Sequence, residues 1–379
     1  MLQDYSVLPS LKVSDIEVRE SFVKSDEIDI NGTKVCFFEN CPDGVTFLRV
    51  KLNTKNIDSS LTQFLFLFES FLPQLGTKSF SYDEFKELIF LNTGKFNINI
   101  QAQASPLDPK EPNGYFLLTI ACLDKNIETM FNLITELLTE PNFKDYTQLS
   151  RLIRLESSEL ASNFDNYGYC RNHSAVSLSR PLASYPSLAN TRFLCKFGTN
   201  FLKATMNLRH QCEALEDSLT FILQKLMRKD NMKLLIHSHD KNRQYLEMRL
   251  NVMVDTMSRV YPHFDDQSEQ VRIDVTEWEP EYIKEFFVIP SQVNYVSESF
   301  KIPHYLNPDA SKLHILGEVL SNGALHNLIR EKGGAYGSGC TVDVWNGVMT
   351  FSSYRDPKNL ETYQNFEKAI VMIAEGQFK

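Results

Sequence analysis

The sequence predicts an α+β fold of two tandem homologous units, each an antiparallel sheet covered by helices. Short β-rich runs alternate with turn residues, amphipathic helices follow them, and the same order of elements recurs later in the chain. The chain has 379 residues, and 42% of them are hydrophobic, which is ordinary for globular proteins. This length exceeds one typical domain, so we expect two or three packed domains.

The first unit begins with a predicted meander of antiparallel strands. β-rich runs occupy residues 34–38 and 46–52, and a turn signal precedes each run, Asn-Gly at 31–32 and Pro-Asp-Gly at 42–44.

Helix signals follow these strands. Apolar residues recur at helical spacing over residues 59–75 and end at Gly76, a common position for the left-handed residue after a helix. Ser81 and Glu84 form a capping-box signature for a second helix, which runs to Gly94. The other elements predicted for this unit are strands at 96–102, 115–123 and 232–238, and helices at 127–139, 145–163, 213–227 and 244–260.

Two segments lack a regular pattern. Residues 167–200 combine aromatic side chains, His173 and small residues, which fit either the lining of a cavity or, more typically, a packed irregular excursion. Residues 261–281 are rich in Asp, Glu, Pro and Gln and predict an interdomain linker. The apolar run at 286–290 then predicts the strand that opens the second unit.

An internal repeat supports the division into two units. Residues 88–96 match 328–336 at an offset of 240, and residues 113–114 and 125–129 match 346–347 and 358–362 at an offset of 233. The difference falls in a proline-rich loop at 106–112 that the second copy lacks, as expected for a duplicated fold whose loops vary.

The repeat sets the predicted domains. They are a first domain at 1–260, a linker at 261–281 and a second domain at 282–379. The first copy continues for about a hundred residues beyond its helix at 127–139, whereas the sequence stops soon after the matching helix of the second copy. We therefore expect the second domain to be incomplete at its C-terminus.

Composition excludes several classes of protein. A formal net charge of −9 argues against nucleic acid as the main ligand. Seven scattered cysteines without a C-x-x-C pair argue against a disulfide framework and a cysteine-rich zinc module. No apolar run reaches the roughly 20 residues that span a bilayer, and the first residues carry no targeting signal. We expect a soluble protein with no membrane partner.

The two copies differ in chemistry where their second helix meets the next strand. Aligned by the repeat, Arg330 replaces Phe90, Gly333 replaces Thr93 and Tyr336 replaces Phe96. A guanidinium and a phenol joined by a Gly-Gly turn supply donors for a backbone carbonyl or a developing oxyanion. A capped helix before a glycine-rich hairpin fits these residues equally well. A phosphate-binding loop fits less well, because the Gly-Lys-Ser/Thr ending of a P-loop is missing.

Four strings in the chain resemble one peptidase family. They read Ile329-Arg330-Glu331-Lys332-Gly333-Gly334-Ala335-Tyr336-Gly337, Val288-Ile289-Pro290-Ser291-Gln292-Val293-Asn294-Tyr295-Val296, Ser353-Tyr354-Arg355-Asp356-Pro357 and Leu75-Gly76-Thr77. The first is similar to the C-terminal signature of the insulinase and pitrilysin family of zinc metallopeptidases, and the others are similar to its presequence-protease branch. The resemblance implies that Arg330 and Tyr336 contact the substrate backbone beside the scissile bond. It also implies that Gly333, Gly334 and Ala335 belong to the substrate-binding turn.

The resemblance further implies a zinc site of the form His-x-x-Glu-His in an N-terminal half. None of the eight histidines here lies in such a motif. The nearest string starts at His210 and has Ala214 at the second ligand position, and the helix expected at 61–69 contains no histidine. His237-x-His239 places two imidazoles on one strand face, and two ligands do not make a zinc site. We expect this chain to bind no metal.

The family resemblance therefore implies the C-terminal, substrate-binding half of a zinc metalloendopeptidase that degrades short or unstructured peptides in a closed chamber. Its partners would be a peptide substrate and an N-terminal half, on the same chain or a separate subunit, and the chain alone would be inactive. The alternative is a non-catalytic scaffold or partner subunit that binds peptides. The resemblance is compatible with an organelle lumen of the mitochondrial type or with the cytoplasm.

Overall fold

The computed structural model describes residues 12–16, 23–38, 43–109, 111–162, 167–179, 209–262, 280–288 and 291–377. The strands of this part are β1 (Ser25–Ile30), β2 (Thr33–Phe38), β3 (Val45–Asn53), β4 (Lys95–Ala104), β5 (Pro112–Leu123), β6 (Met232–His237), β7 (Asn294–Lys301), β8 (Gly337–Asp343) and β9 (Val348–Asp356). The helices are α1 (Ser59–Thr62), α2 (Leu65–Phe71), α3 (Tyr82–Asn92), α4 (Ile127–Thr139), α5 (Tyr146–Ser162), α6 (Tyr167–Val176), α7 (Arg209–Leu226), α8 (Arg243–Val260), α9 (Ala310–Val319), a π-helix (Leu320–Glu331) and α10 (Leu360–Ala374). None of the described helices is long and apolar enough to span a membrane.

The larger sheet has six strands in the order β1-β2-β6-β3-β5-β4. All its neighbours run antiparallel except β2 and β6, which run parallel. The prediction of an α+β fold is thus confirmed. The prediction that the sheet is antiparallel throughout is wrong for the pair β2 and β6. The reason is the long connection through α4 to α7, because a strand that returns after such a crossover can enter a sheet in either direction.

One face of this sheet is buried under helices. On β3, Leu48, Val50 and Leu52 are fully buried, and they lie opposite buried residues of β5. Helices α4 and α8 pack one apolar side against this layer, and the residues they bury are Ile127, Met130, Phe131, Leu133, Ile134, Leu137 and Leu138 of α4 and Leu246, Leu250, Met253, Val254 and Met257 of α8. Each such side chain contributes about 1.5–3 kcal/mol by leaving water.

The smaller sheet repeats part of the larger one. Its order β7-β9-β8 corresponds to β3-β5-β4, and all its pairs run antiparallel. Helices α9, α10 and the π-helix cover one face, where the ring of Phe351 on β9 lies 5.5 Å from the ring of Phe366 on α10. The repeat seen in the sequence is therefore a repeat of structure.

Helix α6 covers the other face of the smaller sheet, although it precedes β7 in the chain by more than a hundred residues. The Ser174 hydroxyl lies 2.7 Å from the Ser299 hydroxyl, and the Ser297 hydroxyl donates to the Cys170 carbonyl at 2.9 Å. Ala175 packs against Val348. The predicted division at 1–260, 261–281 and 282–379 stays a prediction, but residues 167–176 contact the second sheet.

Three local predictions need correction. Residues 167–176 are helical, and the rest of the segment to residue 200 lies largely outside the described residues. The expected helix at 59–75 divides into α1, α2 and a short turn that contains Pro73, which has no backbone N–H to continue a helix.

The strand expected at 286–290 is wrong in its described part, residues 286–288, because the second sheet begins only at Asn294. Glu285 contacts the His173 ring on α6 at 2.5 Å, and Phe287 lies edge-on to that ring. This segment therefore runs along α6 and not along a strand.

The predicted capping box of α3 is confirmed. Glu84 N–H donates to the Ser81 hydroxyl, and Ser81 N–H donates to the Glu84 carboxylate at 2.9 Å. Both bonds satisfy backbone donors that the first helical turn leaves open. The Ser81 hydroxyl also donates to the Glu84 carboxylate at 2.7 Å, and this bond together with the one from Ser81 N–H lowers the pKa of Glu84.

Replacing Ser81 by Ala should lower the free energy of unfolding by about 1 kcal/mol, because the α3 N-terminus loses its side-chain acceptor. Urea denaturation of the whole chain measures the change. Ser79→Ala is the matched control, since Ser79 is exposed and precedes the helix. Equal stability of the two variants would contradict the assignment of the cap.

Candidate functional site

The candidate site lies where the π-helix meets β8. Arg330 stands at the end of the helix, as predicted, and Tyr336 immediately precedes the strand. Long π-helices are rare and are often associated with functional sites. The Ser321 hydroxyl anchors this one, because it donates to the Gly317 carbonyl at 2.7 Å and accepts from Cys340 N–H of β8 at 2.8 Å.

The turn between helix and strand requires both of its glycines. Gly334 has a φ of +84°, in the left-handed region that side chains disfavour. A Cβ on Gly333 would lie 2.4 Å from the Ile329 carbonyl oxygen. That carbonyl accepts from Ala335 N–H at 3.1 Å, and the Arg330 carbonyl accepts from Gly334 N–H at 3.0 Å. The turn thus closes tightly over the last carbonyls of the helix.

The side chains that the turn presents are exposed donors. Tyr336 is 67% exposed, Arg330 is exposed, and Ala335 is buried in the core of the smaller sheet. Among the described residues, neither the Arg330 guanidinium nor the Tyr336 hydroxyl has a hydrogen-bond or ion-pair partner. The turn holds both groups on one short, anchored segment, and their convergence on a single ligand atom stays a prediction.

Sequence reasoning missed an aromatic cluster beside the turn. The ring of Tyr354 on β9 lies 5.7 Å from the ring of Tyr336 and 5.7 Å from the ring of Tyr295 on β7. Tyr336 N–H donates to the Tyr354 carbonyl at 3.1 Å. The Arg355 guanidinium lies 5.4 Å from the Tyr354 ring centre, and Arg355 has a φ of 48°. The sequence signal for this cluster is the string Ser353-Tyr354-Arg355-Asp356-Pro357. The left-handed backbone of Arg355 cannot be predicted from it.

The corresponding turn of the first unit has different chemistry. Thr93 closes it, with its hydroxyl donating to the Ile89 carbonyl at 2.7 Å. Phe90 is 81% exposed, and a surface groove of about 520 Å³ includes Phe90, Thr93 and Phe96. Apolar rings therefore occupy the positions where the second unit has a guanidinium and a phenol.

The residues that the structure describes do not fit a zinc site. Among the described residues, no three His, Cys, Asp or Glu side chains are placed to hold a metal ion. His237 ends β6, and its ring stacks on Phe38 at 4.4 Å, whereas His239 lies beyond the strand and accepts from Lys241 N–H. The expectation that both histidines share a strand face is therefore wrong. The side chain of His210 lies outside the described residues.

Two neighbouring carboxylates lie on α2, which contains part of the helix expected at 61–69, and on α5. Burial, together with the neighbouring Glu156 charge, raises the pKa of Glu69 on α2 to about 7, although Ile100 N–H donates to its carboxylate. Burial also raises the pKa of Glu156 on α5, whose carboxylate accepts from the Ser70 hydroxyl at 2.9 Å. Two carboxylates without histidine are a poor zinc site.

Comparison with known proteins identifies similar families and folds. Two family models match parts of this chain. The first describes the region associated with subfamily C of the M16 peptidases and covers residues 1–180, and the second describes the PreP C-terminal domain and covers residues 284–376. The mitochondrial presequence protease of Mus musculus is 28% identical over 99% of this chain and 38% of its own length. That of Schizosaccharomyces pombe is 25% identical over 97% of this chain and 36% of its own length. The chain thus spans less than two fifths of these relatives.

Solved structures share the fold. A protease from Helicobacter pylori superposes with a TM-score of 0.62 at 12% identity, covering 94% of this chain and 80% of that one. The inactive domain of a peptidase M16 from Pseudomonas fluorescens gives a TM-score of 0.59 at 13% identity, covering 93% of this chain and 79% of that one.

In these matches and in its paired sheets the chain is similar to the M16 peptidases, a family of metallopeptidases. The two family models and the relatives, which match nearly the whole chain, support its assignment as the C-terminal part of a presequence-protease-like M16 peptidase. The resemblance drawn from the four sequence strings is confirmed. A metallopeptidase relationship implies a metal cofactor in the parent protein.

Replacing Gly333 by Ala should destabilise the chain by about 2 kcal/mol or more, because the new methyl group collides with the Ile329 carbonyl. Gly337→Ala is the matched control, since its Cβ would meet its nearest atom, Tyr354 Cβ, at 3.8 Å. Thermal and urea unfolding compare the two variants. Equal loss of stability in both would contradict the tight turn.

The contribution of Glu69 to stability should fall as pH rises from about 4.5 to 7. Glu69 titrates near 7 in the folded chain and near its ordinary 4.5 when unfolded, so the unfolded state loses its proton first and is favoured as pH rises. Glu69→Gln should reduce this fall by about 1–3 kcal/mol, and Glu156 contributes a remaining slope of the same sign. Urea midpoints at pH 4.5 and 7.5 test this, with exposed Glu87→Gln as control. The same dependence of stability on pH in the Glu69 and Glu87 variants would contradict this prediction.

Proposed function

We propose that this chain is the substrate-binding, C-terminal half of a metalloendopeptidase that degrades short or unstructured peptides in a closed chamber. The observation that carries the proposal is the pair of exposed donors, Arg330 and Tyr336, on a turn that is rigidly closed by Gly333 and Gly334. The similarity to M16 peptidases and the name shared by the relatives support a peptide as the substrate.

The chemistry of each group follows from its donors. The Arg330 guanidinium can donate hydrogen bonds to a substrate carbonyl oxygen and hold an extended peptide in place. The Tyr336 hydroxyl can donate to the oxygen that gains negative charge as the carbonyl is attacked. The backbone of Gly333, Gly334 and Ala335 borders the bound peptide. No step through a metal is assigned to this chain, because its described residues do not fit one.

Zinc and the general base belong, in this proposal, to an N-terminal half that carries a His-x-x-Glu-His motif. That half would be part of the same natural chain or a separate subunit. The isolated chain is then expected to cleave no peptide. By the names of its relatives, the parent works in a mitochondrial compartment.

The rival function is a non-catalytic scaffold that binds peptides or supports assembly. One solved neighbour is described as an inactive domain, which keeps this alternative open. The sequence encoded upstream distinguishes the two functions, because a scaffold has no need of a His-x-x-Glu-His motif.

Replacing Tyr336 by Phe should lower kcat/KM for peptide hydrolysis by about 10²–10³, since an oxyanion donor is lost, with little change in Tm. The assay joins this chain to a zinc-bearing N-terminal half and follows cleavage of an unstructured fluorogenic peptide. Tyr245→Phe, on α8 and 39% exposed, is the control. An unchanged rate for the Tyr336 variant would refute its catalytic role.

A further inference from the structure

The face of the larger sheet opposite the helices carries a line of positive charge. We call it the outer face. On β3 it presents Phe47, Arg49 and Lys51, all half-exposed, because alternate residues of a strand point to the same side.

Strand register aligns three lysines across the outer face. Lys51 on β3 pairs directly with Lys233 on β6, and Lys233 pairs directly with Lys34 on β2. One carboxylate, Glu27 on β1, neutralises the far end, at 3.1 Å from the Lys233 ammonium and 3.5 Å from that of Lys34. Glu27 does not contact the cations of β3, which lie nearer the centre of the sheet.

Two cations at the centre have no acidic partner among the described residues. The Lys51 ammonium lies 3.9 Å from the centre of the Tyr115 ring, and burial together with the charge of Lys233 lowers the pKa of Lys51. Arg49, two residues away on the same strand, has no ion-pair or hydrogen-bond partner in the described part of the chain. Like charges placed opposite each other destabilise a sheet, so this arrangement is costly without an anion.

The spacing of these cations matches an extended peptide. Arg49 and Lys51 are successive outward residues of one strand, about 6.5–7 Å apart, which is also the spacing of side chains i and i+2 in a bound extended segment. Phe47, Leu117 and Leu235 lie on the same face by register and supply apolar contacts between the charges.

We propose that the outer face binds an extended acidic peptide, with carboxylates at alternate positions held by Arg49 and Lys51. This extends the proposed peptide-binding function and rests on it for the class of ligand, but it uses neither Arg330 nor Tyr336. A nucleic acid is disfavoured, because the cationic line is short and Glu27 and Asp29 border it, whereas a phosphate backbone needs a longer basic track.

The test is fluorescence anisotropy of the 379-residue chain with two labelled peptides that differ only in charge. One contains Glu at alternate positions and the other contains Gln there. We expect the Glu peptide to bind at least about tenfold more tightly at low salt, and the difference to shrink as salt screens the charges. Arg49→Gln and Lys51→Gln should each weaken binding of the Glu peptide about fivefold.

Arg154→Gln and Lys368→Gln are the controls. Both residues are exposed on helices, and each substitution removes one positive charge, as the test substitutions do. Equal affinity for the Glu and Gln peptides would overturn this proposal while leaving the peptide-binding function intact. Binding of neither peptide would count against both. Tighter binding of a single-stranded oligonucleotide than of the Glu peptide would overturn the choice of ligand. The salt dependence of the unmodified chain decides the matter even if a variant fails to fold.

Discussion

The backbone hydrogen bonds that join the end of the π-helix to the start of β8 determine where the residues of the candidate site lie. Ala335 N–H and Gly334 N–H close the last helical carbonyls, and Tyr336 N–H continues directly into the ladder with β9. Because no side chain fits at Gly333, the backbone path has little freedom. The backbone positions of Arg330 and Tyr336 are thereby fixed, so that little backbone entropy is lost on binding, which favours preorganised recognition.

The two units show how one scaffold carries two surfaces. Both contain the same three-strand order and a helix that runs into the outer strand. In the second unit the junction carries Arg330 and Tyr336, whereas in the first it carries Phe90 and Phe96 and the chemistry lies instead on the sheet face. A scaffold supported by buried apolar pairs tolerates such changes, because exposed positions contribute little to its stability.

Local signals explain what the sequence predicted well. Helix α4 has the predicted ends, and the Ser81–Glu84 box caps α3, because both depend on residues a few positions apart. The repeat identified Arg330 and Tyr336 as the points of difference, although their chemical role rests on the proposed function. The parallel insertion of β6 and the docking of α6 were missed, since they depend on long-range contacts. The contact of Tyr354 with Tyr336 depends on cross-strand geometry, which no local pattern records.

The docking of α6 also bears on how the chain matures during its synthesis. Its partner strand lies 125 residues later, as the contact between Ser174 and Ser299 shows. At about 5–20 residues per second, a ribosome takes roughly 6–25 s to make that interval. Over this time the polar side of α6 has no sheet to pack on, and the smaller sheet cannot be covered on both faces until β9 has emerged. The smaller unit can therefore complete its packing only after these strands have been made, by recruiting a helix made long before them.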